Sequence, residues 1–110
     1  MNTIHRHFRV ATCLLVLALA QGAVQGSALA QDAEKAQAGE GVFEANCAPC
    51  HGEKMSNPNG IFDLRRLRAD ERPRFDKVLA TGKGQMPSWA GVLTPDEMDQ
   101  VWAYIQSAGG

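Results

Sequence analysis

The feature that most constrains this chain is the shortage of large apolar residues after residue 30. Residues 1–30 hold 18 of the 49 hydrophobic residues, Ala and Cys included. Residues 31–110 contain only 19 large apolar residues, counting Val, Ile, Leu, Met, Phe, Trp and Tyr. A domain of that size buries too little apolar surface to be stable alone, and usually recruits disulfides, a metal or a cofactor. We therefore expect one small domain whose interior is completed by a non-protein group.

Residues 1–30 have the organisation of a secretory signal peptide. Histidines and arginines between positions 5 and 9 form a cationic start, Val10 to Ala20 is almost entirely apolar, and Ala28-Leu29-Ala30 offers the small residues that signal peptidase reads. The apolar run of about 11 residues is short of the roughly 20 that a spanning helix needs, so a retained membrane anchor is the weaker interpretation. We expect cleavage after Ala30, which also removes Cys13, and a periplasmic product without a membrane anchor.

Residues 31–110 then form a single domain with little net charge. This part of the chain has nine Lys plus Arg and 12 Asp plus Glu, a net charge of -3, and the whole chain carries -1. A balance of this kind lacks the basic patch that nucleic-acid binding needs, so we expect no nucleic-acid partner.

The sequence of this domain predicts helices and loops, without strand pairs. We expect a first helix from Ala33 to Ala48, a short helical turn from Asp63 to Leu67, and a helix capped by Asp70 that runs to about Thr81 and ends at Gly82.

The last helix is predicted from Pro95 to about Ser107. Thr94 and Glu97 have the spacing of a capping box, with Pro95 at the first helical position. One apolar stripe of this helix consists of Met98, Val101, Trp102 and Ile105. We expect that stripe to face the core.

The chemistry is concentrated in the segment Cys47-Ala48-Pro49-Cys50-His51. Two thiols at this spacing can add to the two vinyl groups of a haem, and a histidine directly after the second thiol can ligate the iron. A thioredoxin-like thiol site needs a βαβ pattern, which the sequence lacks, and zinc normally needs four ligands. We therefore expect one haem c, attached through two thioethers to Cys47 and Cys50 and ligated by His51.

The choice of the second axial ligand is limited by the residues that remain after cleavage. His51 is then the only histidine, which leaves Met55, Met86 and Met98 as candidates. Met55 is tethered to His51 by at most about 14 Å of chain, and Met98 falls on the core stripe. A lysine ligates iron only after losing its proton. Met86, in a loop stiffened by Pro87, is the preferred ligand.

In order along the chain, several of these residues resemble the small class I c-type cytochromes of bacteria. They are Gly39, Phe43, Cys47, Cys50, His51, Met86-Pro87, Leu93-Thr94 and Ala103-Tyr104-Ile105. The resemblance implies an all-α cytochrome c fold, with three to four helices packed around one covalently bound haem and with the first and last helices crossing near it. It also implies His51 and Met86 as axial ligands.

A narrower resemblance bears on partners. The segment Met86-Pro87-Ser88-Trp89-Ala90-Gly91 is similar to cytochrome domains associated with quinone-cofactor alcohol dehydrogenases and with terminal oxidases. The sparse lysine content departs from the lysine-ring docking surface of the mitochondrial relatives. We expect a donor and an acceptor that are both redox proteins.

Several residues gain a possible role from this resemblance. Gly39, in preference to Gly41, is predicted to let the ring of Trp102 or Tyr104 approach the first helix closely. Trp89 is expected either in the core or against the haem. The arginines between positions 65 and 74 are expected at the surface, with one of them free to pair with a haem propionate.

The sequence thus predicts a monomeric electron-transfer protein, not an enzyme, that cycles haem iron between Fe(II) and Fe(III). The alternative is a haem sensor or peroxidase-like protein with an open sixth position. A third interpretation is a haem-free copper or thiol protein that uses Cys47, Cys50 and a methionine.

Overall fold

A computed structural model describes residues 26–109 of the chain, which divides into two compact units, Met1–Asp32 and Ala33–Gly110. Of the first unit, residues 26–32 are described, and they are helical and exposed. The greater part of the predicted signal peptide lies outside the described residues. Within the described part, no helix is long and apolar enough to cross a membrane.

The second unit is built from helices. Residues 33–46 form α1, and the helices that follow are α2 (Ala48–His51), α3 (Arg72–Thr81) and α4 (Pro95–Ala108). Single turns of 3-10 helix lie at Glu53–Met55, Leu64–Arg66 and Ala69–Glu71. Among residues 26–109 the only β contacts are isolated bridges. The predicted all-α class is confirmed.

The first helix ends earlier than predicted. Its last backbone bond runs from the Cys47 N–H to the Phe43 carbonyl at 2.7 Å, and Cys47 then begins α2. Pro49 has no N–H to continue the bonds of α1, but is well suited to the first turn of a new helix. The proline thus separates the cysteine segment from α1.

The predicted cap of α3 is wrong. Asp70 lies within the 3-10 turn before the helix, and Glu71 is the N-cap residue. The Asp70 carboxylate is paired with the guanidinium of Arg68 and is therefore not free to accept the backbone N–H groups of the helix. The other end of α3 is at Gly82, as predicted, where φ is +73°.

The capping box of α4 is confirmed. The Thr94 hydroxyl accepts the Glu97 N–H at 3.2 Å, and the Thr94 N–H donates to Glu97 Oε2 at 2.8 Å. Val101 and Ile105 are buried, whereas Met98 and Trp102 are partly buried against the same core. Tyr104, which lies beside the predicted stripe, is also buried.

The first and last helices cross at Gly39. A Cβ atom at this position would overlap the carbonyl of Gln100, whereas a Cβ atom on Gly41 would meet nothing within 4 Å. The choice of Gly39 is therefore confirmed, but the predicted neighbour is wrong, because the backbone of Gln100 occupies the place expected for an aromatic ring. Tyr104 instead pairs with Phe43, with ring centroids 5.5 Å apart.

A cluster of charged and aromatic side chains joins α3 to α4. Arg72 binds Asp76 at 2.7 Å and also Asp99 of α4, and its guanidinium lies 5.7 Å from the centroid of the Trp102 ring. Phe75 packs on Trp102 with centroids 5.1 Å apart. Lys35 of α1 reaches Asp99 at 3.6 Å, so the charges connect three helices.

Candidate functional site

The two cysteines and the histidine of the predicted site lie together on one turn of helix. Cys47 is the N-cap residue of α2 and His51 is its last residue. The N–H groups of Cys50 and His51 both donate to the Cys47 carbonyl, at 3.2 and 2.9 Å. Both thiols are free, with Cys47 half-buried and Cys50 exposed.

The surroundings favour the neutral form of the half-buried groups. Burial raises the pKa of the Cys47 thiol to about 11, and the negative charges of Cys50 and Glu44 add to the effect. Burial also lowers the pKa of His51. Burial thus favours the neutral imidazole, which is the form that ligates a metal.

A loop with unusual backbone conformations follows His51. Gly52 has φ of +83°, and Lys54, Met55 and Asn57 also have positive φ although none of them is glycine. Met55 is only 1% exposed, and its side chain belongs to the central core cluster. These conformations were not predictable, since the composition of the segment indicates only a loop.

The loop that carries Met86 is fastened to the end of α3. The backbones of Lys83 and Met86 exchange two hydrogen bonds of 3.0 Å, and the Trp89 N–H donates to the Leu79 carbonyl at 2.7 Å. The Ser88 hydroxyl also donates to the Ala80 carbonyl at 2.7 Å.

The side chains of Met86 and Cys47 pack against the same core cluster. Trp89 also packs there, which is one of the two positions predicted for it, and so does Met98, as expected of a core residue. The structure therefore brings the methionine loop and the cysteine turn to one core.

The arginine-rich segment is largely engaged in ion pairs. Arg65 pairs with Asp63 at 2.9 Å and Arg74 with Glu71 at 2.9 Å, and Arg68 and Arg72 also have carboxylate partners. In the described part of the chain, Arg66 has no carboxylate within ion-pair distance. It is exposed.

The donor set fits a haem attached through thioethers. Two free thiols stand one helical turn apart beside an imidazole whose neutral form is favoured by burial. The residues of the described ranges contain no group of three or more His, Cys, Asp or Glu that would hold a metal ion by itself. Fold and site together define a small c-type cytochrome of class I.

Residues 34–105 match the family described as "Cytochrome C oxidase, cbb3-type, subunit III", and the chain belongs to this family. Its members named cytochrome carry haem c, so the cofactor predicted from the sequence is confirmed, as is a general role in haem-based electron transfer.

Three relatives show how the domain is used elsewhere. Cytochrome c6 of Leptolyngbya boryana is 36% identical over 75 residues, which cover 64% of this chain and 88% of the relative. The quinohemoprotein alcohol dehydrogenase ADH-IIG of Pseudomonas putida is 31% identical over 80 residues, 71% of this chain but 11% of the dehydrogenase. The cbb3-type cytochrome c oxidase subunit FixP of Bradyrhizobium diazoefficiens is 31% identical over 78 residues, 66% of this chain and 27% of the subunit.

The chain thus spans most of cytochrome c6 but only a small part of the other two relatives. No solved structure matches it significantly.

Proposed function

We propose that this protein is a periplasmic one-electron carrier that moves electrons between a dehydrogenase or quinol-oxidising donor and a terminal acceptor. The observation that carries the proposal is the meeting of the Cys47–His51 turn and the Met86 loop at one core. Bound haem c supplies the reversible Fe(II)/Fe(III) couple. The residues around it determine its potential and its access to water.

In this proposal Cys47 and Cys50 would hold the haem through two thioethers, and His51 and Met86 would ligate its iron. The two hydrogen bonds to the Cys47 carbonyl keep Cys50 and His51 on one turn. The bonds from the Met86 loop to α3 hold the methionine against the core independently of the cysteine turn. A thioether ligand favours Fe(II) over Fe(III), which raises the potential.

The proposed cellular location depends on the N-terminal segment. Residues 1–30 serve as a signal peptide and residues 31–110 as the exported domain.

The proposed docking surface is the uncharged region formed by the cysteine turn and the methionine loop. Pro49, Gln85, Pro87 and Ser88 are exposed there, whereas Ala48 is half-buried against the core. Transient redox complexes need only a small contact area. Because most of the arginines between positions 65 and 74 are already paired with carboxylates, we expect them to contribute little steering.

The relatives suggest the class of partner. One relative is a quinohemoprotein alcohol dehydrogenase and another is a subunit of a cbb3-type oxidase. A soluble domain of the same family is suited to carry electrons from the first kind of protein to the second.

The test begins with the exported protein. A haem-stained denaturing gel should show covalent haem in the wild type and none after Cys47→Ser together with Cys50→Ser, and a haem-free product from the wild type would contradict the proposal. The ferric protein should show the methionine-to-iron absorption band. A high-spin spectrum without this band, with rapid binding of added ligands, would instead favour a sensor or peroxidase-like protein.

A further inference from the structure

One short loop, residues 56–59, contacts the end of the cysteine turn, and we call it the clasp loop. It contacts Cys50, His51 and the following Gly52. The Asn57 N–H donates to the His51 carbonyl at 2.9 Å, and Asn59 Nδ2 donates to the Cys50 carbonyl at 2.9 Å. A Cβ atom on Gly52 would overlap Ser56 and Pro58. The clasp loop therefore packs directly against the backbone on both sides of His51.

The turn that carries His51 needs such support. Helix α2 has only four residues, and its bonds are those from Cys50, His51 and Gly52 to the Cys47 and Ala48 carbonyls. A helix of a single turn is not stable alone, because fixing its first residues costs more conformational entropy than one or two hydrogen bonds return. The orientation of His51 must therefore depend on contacts from outside α2.

Asn57 makes two of the contacts that fix the clasp loop. Its backbone has φ of +55°, a conformation that asparagine adopts more readily than most residues. While its N–H binds the His51 carbonyl, its Nδ2 donates to the Ile61 carbonyl at 2.6 Å. Asn57 thus links the backbone carbonyl of His51 to the backbone carbonyl of Ile61.

The orientation of the Asn57 side chain is fixed by this bond. Exchanging its amide nitrogen and oxygen would place two oxygen atoms against each other at the Ile61 carbonyl. The amide oxygen Oδ1 is buried and has no partner among the described residues.

We propose that Asn57 is a positioning residue for His51, with Asn59 as a second, weaker support. The clasp loop fixes the backbone from which the imidazole projects and so limits its rotation when the oxidation state changes. Residues that bind and orient a metal ligand alter the properties of the metal, although they do not contact the metal themselves. The inference rests on the proposed role of His51 as an axial ligand.

The test compares two glycine substitutions, one in the clasp loop and one in the 3-10 turn just before it, both made in the haem-loaded protein. Asn57→Gly keeps the positive-φ backbone and its N–H but removes the side-chain bond to Ile61. Lys54→Gly is the matched control, because Lys54 also has positive φ, 52°, and its side chain is exposed. The measurements are the reduction potential and the hyperfine-shifted NMR resonances of the His51 ring.

We expect Asn57→Gly to move the His51 resonances and to change the reduction equilibrium by up to about tenfold, which for one electron is about 59 mV. Lys54→Gly should leave both unchanged. An unfolding midpoint that falls while the potential and the resonances stay at their wild-type values would show a merely structural role and overturn the inference.

A second variant keeps the test decisive if Asn57→Gly cannot be recovered with haem. Asn59→Ala removes one exposed hydrogen bond to the Cys50 carbonyl and should move the same resonances in the same direction by a smaller amount. No movement would contradict the inference. The spectrum of the wild-type protein tests the proposed function separately. If the methionine-to-iron band is absent from it, the proposed role of Met86 fails, whereas the role of Asn57 is tested only by the variants.

Discussion

The carbonyl group of Gln100 in α4 occupies the place that a Cβ atom on Gly39 of α1 would take, and the Val101 nitrogen lies 2.9 Å from the same point. The two helices meet backbone to backbone at this crossing. Because the neighbours are main-chain atoms within a helix, they cannot move aside as a flexible side chain would. The pairing of Phe43 with Tyr104 lies on the same two helices.

We predict that Gly39→Ala separates these helices and lowers the free energy of unfolding of the haem-loaded protein by about 3 kcal/mol, at the upper end for an overpacked core. Gly41→Ala is the control: its Cβ atom meets nothing within 4 Å, and removing glycine from a helix interior should add about 0.5–1 kcal/mol. Urea unfolding of both variants measures the difference. Equal stabilities would refute the close approach.

The ion pairs around Asp99 predict how stability depends on pH. The hydrogen bond from Arg72 is the main reason that the pKa of Asp99 lies below its ordinary value, with smaller contributions from the charges of Arg72 and Lys35. A lowered pKa in the folded state means that the stabilisation is present above the ordinary carboxyl pKa of about 4 and is lost as the pH falls through the lowered value.

Asp99→Asn should therefore be less stable than the wild type at neutral pH, and the difference should shrink as the pH falls below about 4. Asp96→Asn is a suitable control, since Asp96 contacts Gln100 on its own helix and does not join α4 to another element. Thermal unfolding across this pH range measures both differences. If the deficit of Asp99→Asn persists unchanged in acid, the charge on Asp99 is not its source.

Local sequence signals predicted the parts of the fold that depend on neighbouring residues. The Thr94 capping box and the stop at Gly82 each require only a few adjacent positions. The prediction that Asp70 caps α3 was wrong because the guanidinium of Arg68, two residues away, pairs with the Asp70 carboxylate. Burial of Tyr104 could not be read from α4 alone, since it depends on Phe43 of another helix.

The candidate site was predictable for a different reason. The identity of Cys47, Cys50 and His51 as site residues follows from their spacing alone, although the turn that holds them also depends on contacts from residues 56–59. The backbone of residues 52–59 was not predictable, because Lys54, Met55 and Asn57 adopt positive φ in a segment that is bonded to α1 and to the cysteine turn. The Lys54 N–H, for example, donates to Glu44 Oε1 at 2.7 Å.

We predict that Met86→Ala retains covalent haem and most of the helix content but loses the methionine-to-iron band and has a lower reduction potential. Water or hydroxide in place of the thioether favours Fe(III), and added ligands should then bind readily. The comparison is with Met98→Leu, which keeps an apolar side chain on the core face of α4. A band that survives in Met86→Ala but disappears in Met98→Leu would reassign the ligand.

The last prediction concerns the docking surface. Gln85 is exposed in the Met86 loop, and Arg66 is exposed without a carboxylate partner in residues 26–109, so both can be changed without breaking an ion pair. Ser88 is less suitable, because its hydroxyl bonds to the Ala80 carbonyl and holds the loop in place. Gln85→Trp adds bulk to the uncharged region, whereas Arg66→Glu reverses a charge in the arginine-rich segment.

Gln85→Trp should slow reduction by a quinone-cofactor alcohol dehydrogenase in stopped-flow experiments by about tenfold, equal to about 1.4 kcal/mol. Arg66→Glu should change the rate little, and the wild-type rate should fall only modestly with salt, because charges are screened over about 8–10 Å near physiological ionic strength. Both variants should keep the wild-type spectrum, which separates docking from damage to the site. A larger effect of Arg66→Glu, with a steep salt dependence, would place the docking surface on the arginine-rich segment.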